Sequence, residues 1–118
     1  MKLPIRLVPA LLFTALLCAC GGSPPPAAAP AVAAPPSDPA LAKIFETTCR
    51  TCHAVPSSGA PQAGDVAAWK PRVAQGKDTL LAHTINGYQR MPPMGLCMQC
   101  GDAEFTALIE YMSGAKLQ

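Results

Sequence analysis

The chain has 118 residues, with nine Lys and Arg against seven Asp and Glu, and only 14% of its side chains are charged. That length holds one domain at most, and so even a balance excludes the basic surface that nucleic acid demands. Lys2 and Arg6 precede the apolar run Leu7 to Leu17, so residues 1–19 read as an export signal, too short to stay in a bilayer as a permanent helix. Its loss takes both charges with it and leaves seven basic and seven acidic groups, in a compartment where thiols oxidise.

Leu17-Cys18-Ala19-Cys20-Gly21 resembles the lipobox of bacterial lipoproteins, in which cleavage falls before a cysteine that then carries acyl chains. By that resemblance Cys20 is the lipidated mature N-terminus, and multiple chains give a stable anchor where a single one does not. The alternative is an ordinary cut near Ala19, which would strand Cys20 as a free thiol on an exported tail. Gly21 replaces the aspartate that retains such proteins at the inner membrane, which favours the outer one. Residues 20–37 then form a tether. From Gly21 to Ser37 there is no charge and little but Pro, Ala, Gly and Ser. This composition cannot bury a core and is biased toward extended polyproline II, with a reach of roughly 50 Å.

Residues 38–118 are the expected folded unit. Ser37 or Asp38 followed by Pro39 is a helix start, and Leu41, Ile44, Phe45, Thr48, Cys49 and Cys52 recur at three- and four-residue spacing as one inward face. Asp65 begins a helical patch near Trp69 that Pro71 should break or restart, and Asp78 should cap a helix from Thr79 to Asn86 that stops at Gly87. Asp102 opens a last helix with Phe105, Leu108, Ile109 and Met112 as its apolar stripe and Gly114 as its stop. No stretch sustains strand alternation, so the fold class is all-α, with the first and last helices paired to bury their faces.

Cys49-Arg50-Thr51-Cys52-His53 is a C-x-x-C-H run, the spacing of covalent c-type haem attachment. Two thiols on one turn can each add to a haem vinyl group, and the next residue supplies an imidazole as proximal iron ligand. Zinc or a redox dithiol are the alternatives, but zinc would need His83 or the Cys97/Cys100 pair, and a thioredoxin-like dithiol would need a βαβ pattern. A neutral His53 requires an acceptor for its second ring nitrogen, and the loop Ser57 to Pro61 is placed to offer a carbonyl. Met91-Pro92-Pro93-Met94 lies 38 residues further on, in a stiff loop able to hold a thioether. Met91 is the first candidate for the sixth ligand; Met94 and His83 are the others, although His83 falls off the apolar face of its helix and reads as solvated. With Cys18 lost, Cys20 lipidated and Cys49 and Cys52 on haem, Cys97 and Cys100 remain for a disulfide, or for a redox-active dithiol.

Taken together, the C-x-x-C-H, Gly59-Ala60-Pro61, Gly64-Asp65 with Trp69, Ile85-Asn86-Gly87, Met91-Pro92-Pro93-Met94-Gly95, the Cys97/Cys100 pair and Glu110-Tyr111-Met112 resemble the class I c-type cytochromes, cytochrome c5 type, over residues 40–114. The resemblance implies a small class I cytochrome c fold around one covalent haem c. It implies thioether bonds from Cys49 and Cys52, axial ligation by His53 and Met91, and a Cys97–Cys100 disulfide. Met94 departs from the lysine frequent in that family. With both axial positions filled there is no site for a small-molecule substrate. The expectation is therefore an electron-transfer protein and not an enzyme. It would be a monomer held by lipid on the periplasmic side of a bacterial membrane, exchanging one electron with transient redox-partner proteins of a respiratory chain. The alternative is a haem sensor or peroxide enzyme with an open distal site, for which Tyr88, Gln89 and Arg90 are the local polar groups.

Overall fold

A computed structural model describes residues 34–118. The export segment 1–19, Cys20 and the tether through residue 33 lie outside the described residues. The described chain runs α1 (Pro39–Ile44), a π-helical turn (Phe45–Cys49), α2 (Arg50–His53), a 3-10 turn (Pro56–Ser58), α3 (Val66–Val73), α4 (Lys77–Asn86), a second 3-10 turn (Pro93–Leu96) and α5 (Asp102–Ser113). Among the described residues there is no strand, only an isolated bridge between Tyr88 and Met91. The fold is all-α.

The helix starts are set by their capping residues. The Asp38 carboxylate accepts the amide hydrogens of Ala40 at 2.8 Å and Leu41 at 3.0 Å, with Pro39 already at a helical φ. Asp65 accepts from the Ala68 amide at 3.0 Å, and Glu104 reaches back to the Gly101 amide at 2.9 Å ahead of α5. Phe45, Trp69, Leu80, Leu81, Phe105, Leu108, Ile109 and Met112 form the buried core. The π turn meets α5 through Phe45 and Tyr111, whose rings stand edge to face with centroids 5.0 Å apart. Such a pair contributes about 1 kcal/mol beyond the area it buries.

Three expectations about the helices need correction. Pro71 does not break α3, which runs through it. The bond it forfeits belongs to the carbonyl of Ala67, an exposed residue where water can serve instead, so the usual cost of an interior proline is reduced. Asp78 is not a cap: α4 begins at Lys77, because the Leu80 amide already reaches the Gly76 carbonyl at 3.2 Å. Asp78 therefore lies in the first turn, where a carboxylate still suits the positive end of the helix. Finally, the apolar face of the first helix is not continuous to Cys52. The Arg50 amide donates to Phe45, five residues back, which inserts one extra residue and rotates the side chains after it. Phe45 and His53 are buried, Cys49 is half-buried and Cys52 is exposed.

Candidate haem site

The site is built on the π turn and the short helix after it. Where the regular ladder opens, side chains take up the carbonyls: Thr47 Oγ1 donates to Lys43 at 2.9 Å and Thr48 Oγ1 to Ile44 at 2.7 Å. Both thiols at this end of the helix are free. Burial raises the Cys49 pKa, and the bond from Thr48 only partly offsets that. Among the described residues no three His, Cys, Asp or Glu side chains converge into a metal-ligand group, so these thiols have no tetrahedral zinc set around them.

His53 is the best-defined residue of the site. Its Nδ1 lies 2.7 Å from the Pro61 carbonyl, the acceptor that the loop was expected to supply. That contact makes Nδ1 the protonated nitrogen and leaves Nε2 with its lone pair outward as a donor to metal. Burial lowers the His53 pKa; the Pro61 bond works against this and the Arg72 charge works with it. The imidazole is thus kept neutral, the form that binds iron. The Trp69 indole stacks on it with centroids 5.6 Å apart, and its Nε1–H donates to the Gln62 carbonyl at 2.9 Å. The Ala63 amide closes the loop onto the His53 carbonyl at 2.7 Å.

Gln62 is a site residue that sequence reasoning missed. Its buried amide nitrogen lies 3.2 Å from the Cys52 carbonyl, 3.2 Å from Val55 and 2.8 Å from Ala60, which fixes the loop that in turn fixes His53. Glutamine carries no motif for this role. The signal is only its position, one residue after Pro61, in a loop where carbonyls outnumber donors.

The methionine loop follows α4. The Tyr88 and Met91 backbones exchange hydrogen bonds at 3.0 and 2.9 Å. Gly87 sits beneath this turn at φ +83°, and a Cβ there would meet the Met91 carbonyl at 3.0 Å and the Pro93 nitrogen at 3.1 Å. Glycine is needed on both counts. The two methionines are placed differently. Met94 packs against the hydrophobic core, whereas Met91 is half-buried outside that packing, its Sδ-methyl over Gly95, where a Cβ would come within 3.2 Å. His83 is not fully solvated as expected: it is half-buried and stacks on Tyr88 with centroids 3.9 Å apart. Cys97 and Cys100, both buried, are joined by a disulfide just after the loop.

Two free thiols at the end of one helix and a neutral imidazole pinned through Nδ1 beside them suit a covalently attached iron porphyrin. Comparison with known proteins agrees. The family described as cytochrome C oxidase, cbb3-type, subunit III, matches residues 36–112. Cytochrome c5 of Ectopseudomonas mendocina is 44% identical over 73 residues, spanning 60% of this chain and 84% of that protein. Cytochrome c-555 of Chlorobaculum tepidum is 40% identical over 74 residues, 59% of this chain and 68% of that protein. A chain of a solved structure described as an electron transfer complex of nitrite reductase with cytochrome c superposes with a TM-score of 0.57 at 40% identity, covering 65% of this chain and 94% of that one. The chain belongs to the class I c-type cytochromes. It is a monohaem electron carrier whose cofactor is covalently bound haem c, and Cys49 and Cys52 lie in its C-x-x-C-H attachment stretch.

Proposed function

We propose that this cytochrome carries single electrons in a periplasmic respiratory chain, with His53 and Met91 as its axial ligands and Cys49 and Cys52 as its thioether anchors. The observation that carries the reading is the 2.7 Å bond from His53 Nδ1 to the Pro61 carbonyl, which prepares Nε2 for iron at the end of the helix that bears both thiols. When bound, haem c supplies the ferric/ferrous couple. His53 holds its tautomer without a proton transfer, the loop closed by Gln62 and Trp69 keeps the imidazole in place, and Met91 would supply the thioether as second axial ligand. Met91 is preferred to Met94 because Met94 is already committed to the core. No acid, base or nucleophile is required, so the partners are proteins that donate or accept an electron on brief contact. The domain would hang from an acylated Cys20 by the tether of residues 20–37, at the outer membrane in preference to the inner, with the Cys97–Cys100 disulfide stable in that oxidising space.

An absorption spectrum of the exported protein, oxidised and reduced, followed by acid-acetone extraction and the alkaline pyridine assay, tests the reading. Haem that resists extraction, with a low-spin ferric spectrum carrying the sulfur-to-iron band, is the expected result. Covalent haem in a high-spin state would transfer the protein to the sensor or enzyme class. Replacing Cys20 with serine should move the protein from the membrane fraction to the soluble one, and persistence in the membrane would end the lipid-anchor assignment.

A further inference from the structure

Arg90 immediately precedes Met91, yet its side chain leaves the methionine loop. Its Nη2 donates to the carbonyl of Ser58 at 2.7 Å, across 32 residues of sequence. Ser58 is itself tied to the helix of the thiols, because its Oγ donates to the Cys52 carbonyl at 2.6 Å and accepts from the Ala60 amide at 3.1 Å. Gly59 makes room for the guanidinium: its φ is +75°, and a Cβ there would collide with Arg90 Nη2. The bond therefore runs from the residue beside the candidate thioether to the rigid loop whose other members, Pro61 and Ala63, fasten His53.

We propose that Arg90 is a positioning residue, a latch that ties the Met91 loop to the His53 loop through the Ser58 carbonyl and so suppresses departure of the thioether from iron. The proposal rests on the assignment of Met91 as sixth ligand. The physical logic is a population shift. An added ligand such as imidazole enters only when Met91 has left, so its apparent affinity scales with the open fraction, and its limiting rate at saturation is the rate of opening. A charge-assisted bond made only in the closed form lowers both.

The test is titration and stopped-flow mixing of the ferric holoprotein with imidazole, on the unchanged protein, Arg90→Gln and Arg90→Lys. Arg90→Gln should bind imidazole about five- to tenfold more tightly and show a faster limiting rate. Arg90→Lys, which keeps a cationic donor but not the planar fork, should fall between. An Arg90→Gln protein with unchanged affinity and rate, in a background whose ferric spectrum carries the sulfur-to-iron band, overturns the latch and leaves Met91 on iron. An unchanged protein that lacks that band overturns the Met91 assignment, and the latch falls with it.

Discussion

His53 is held by neighbours that share no motif with it. Its ring is fixed by a backbone carbonyl and by the Trp69 indole, and the loop behind it is braced by Gln62, whose amide nitrogen lies within hydrogen-bond distance of the Cys52, Val55 and Ala60 carbonyls. The attachment run was legible because its chemistry demands particular side chains at fixed spacing. The role of Gln62 was not, because any donor of the right reach could serve and only the folded loop shows which carbonyls need one. Replacing Gln62 with leucine removes the side-chain donor to the Ala60 carbonyl, while the Cys52 and Val55 carbonyls keep bonds from Ser58, so the expected loss is about 1 kcal/mol in the unfolding free energy of the holoprotein. Trp69→Phe keeps a ring against His53 but forfeits the bond to the Gln62 carbonyl and leaves part of the buried indole's space unfilled, so it should cost about 2 kcal/mol. Denaturant melts of the two variants check the order, and a Gln62→Leu protein less stable than Trp69→Phe would show that the glutamine amide, not the indole, carries the loop.

The first helix shows why periodicity alone was insufficient. Leu41, Ile44 and Phe45 obey the α-helical repeat, and extrapolating it gave an inward Cys52. The π turn over Phe45–Cys49 has no compositional mark in the sequence and shifts everything after it, so that His53 is buried while Cys52 reaches the surface. The methionine loop was legible as stiff, from its prolines, but not in its handedness. Gln89, Met94 and Leu96 all have positive φ, a region disfavoured for side-chain-bearing residues and rarely assigned from sequence to methionine or leucine. The Cys97–Cys100 link lies at the end of this segment. Converting both cysteines to serine should lower stability by about 2 kcal/mol from loop-closure entropy alone. It should also raise imidazole affinity if the link steadies Met91. The ligand pair itself is separated by two further variants. Met91→Ala should keep haem covalently bound and lower the reduction potential, whereas Met94→Ala should leave the potential near its original value and reduce stability. The reverse pattern in a redox titration would place Met94 on iron.

The C-terminal tail is fastened back onto α5. Glu110 on α5 accepts from Lys116 Nζ at 2.6 Å and from the Leu117 amide at 2.9 Å, and these bonds, the Lys116 one foremost, hold its carboxyl below its ordinary pKa. A carboxylate whose pKa is depressed by folding stabilises the folded state above its unfolded pKa, and that contribution is lost as pH falls through the folded value. Glu110→Gln should therefore be the less stable protein at pH 7, and the gap should close in acid; a constant gap would mean that packing, not charge, is responsible.

The larger dependence is on the cofactor. The described unit is small, its core is a single cluster between three helices and the π turn, and such a domain buries too little apolar surface to offset the entropy of ordering its chain with any margin. Residues proposed to hold the haem have little protein support of their own: Cys52 is exposed and Met91 is only half-buried. Haem must then supply core as well as redox chemistry, and covalent attachment keeps that contribution in the unfolded chain's reach. A chain matured without haem should have helical signal in the far ultraviolet but no fixed aromatic signal around Trp69, and limited proteolysis should cut within residues 54–64 and 87–97 first. His53→Ala should block maturation and behave in the same way. Sharp cooperative unfolding of the haem-free chain would refute this dependence and make the protein a preformed cup that haem merely fills.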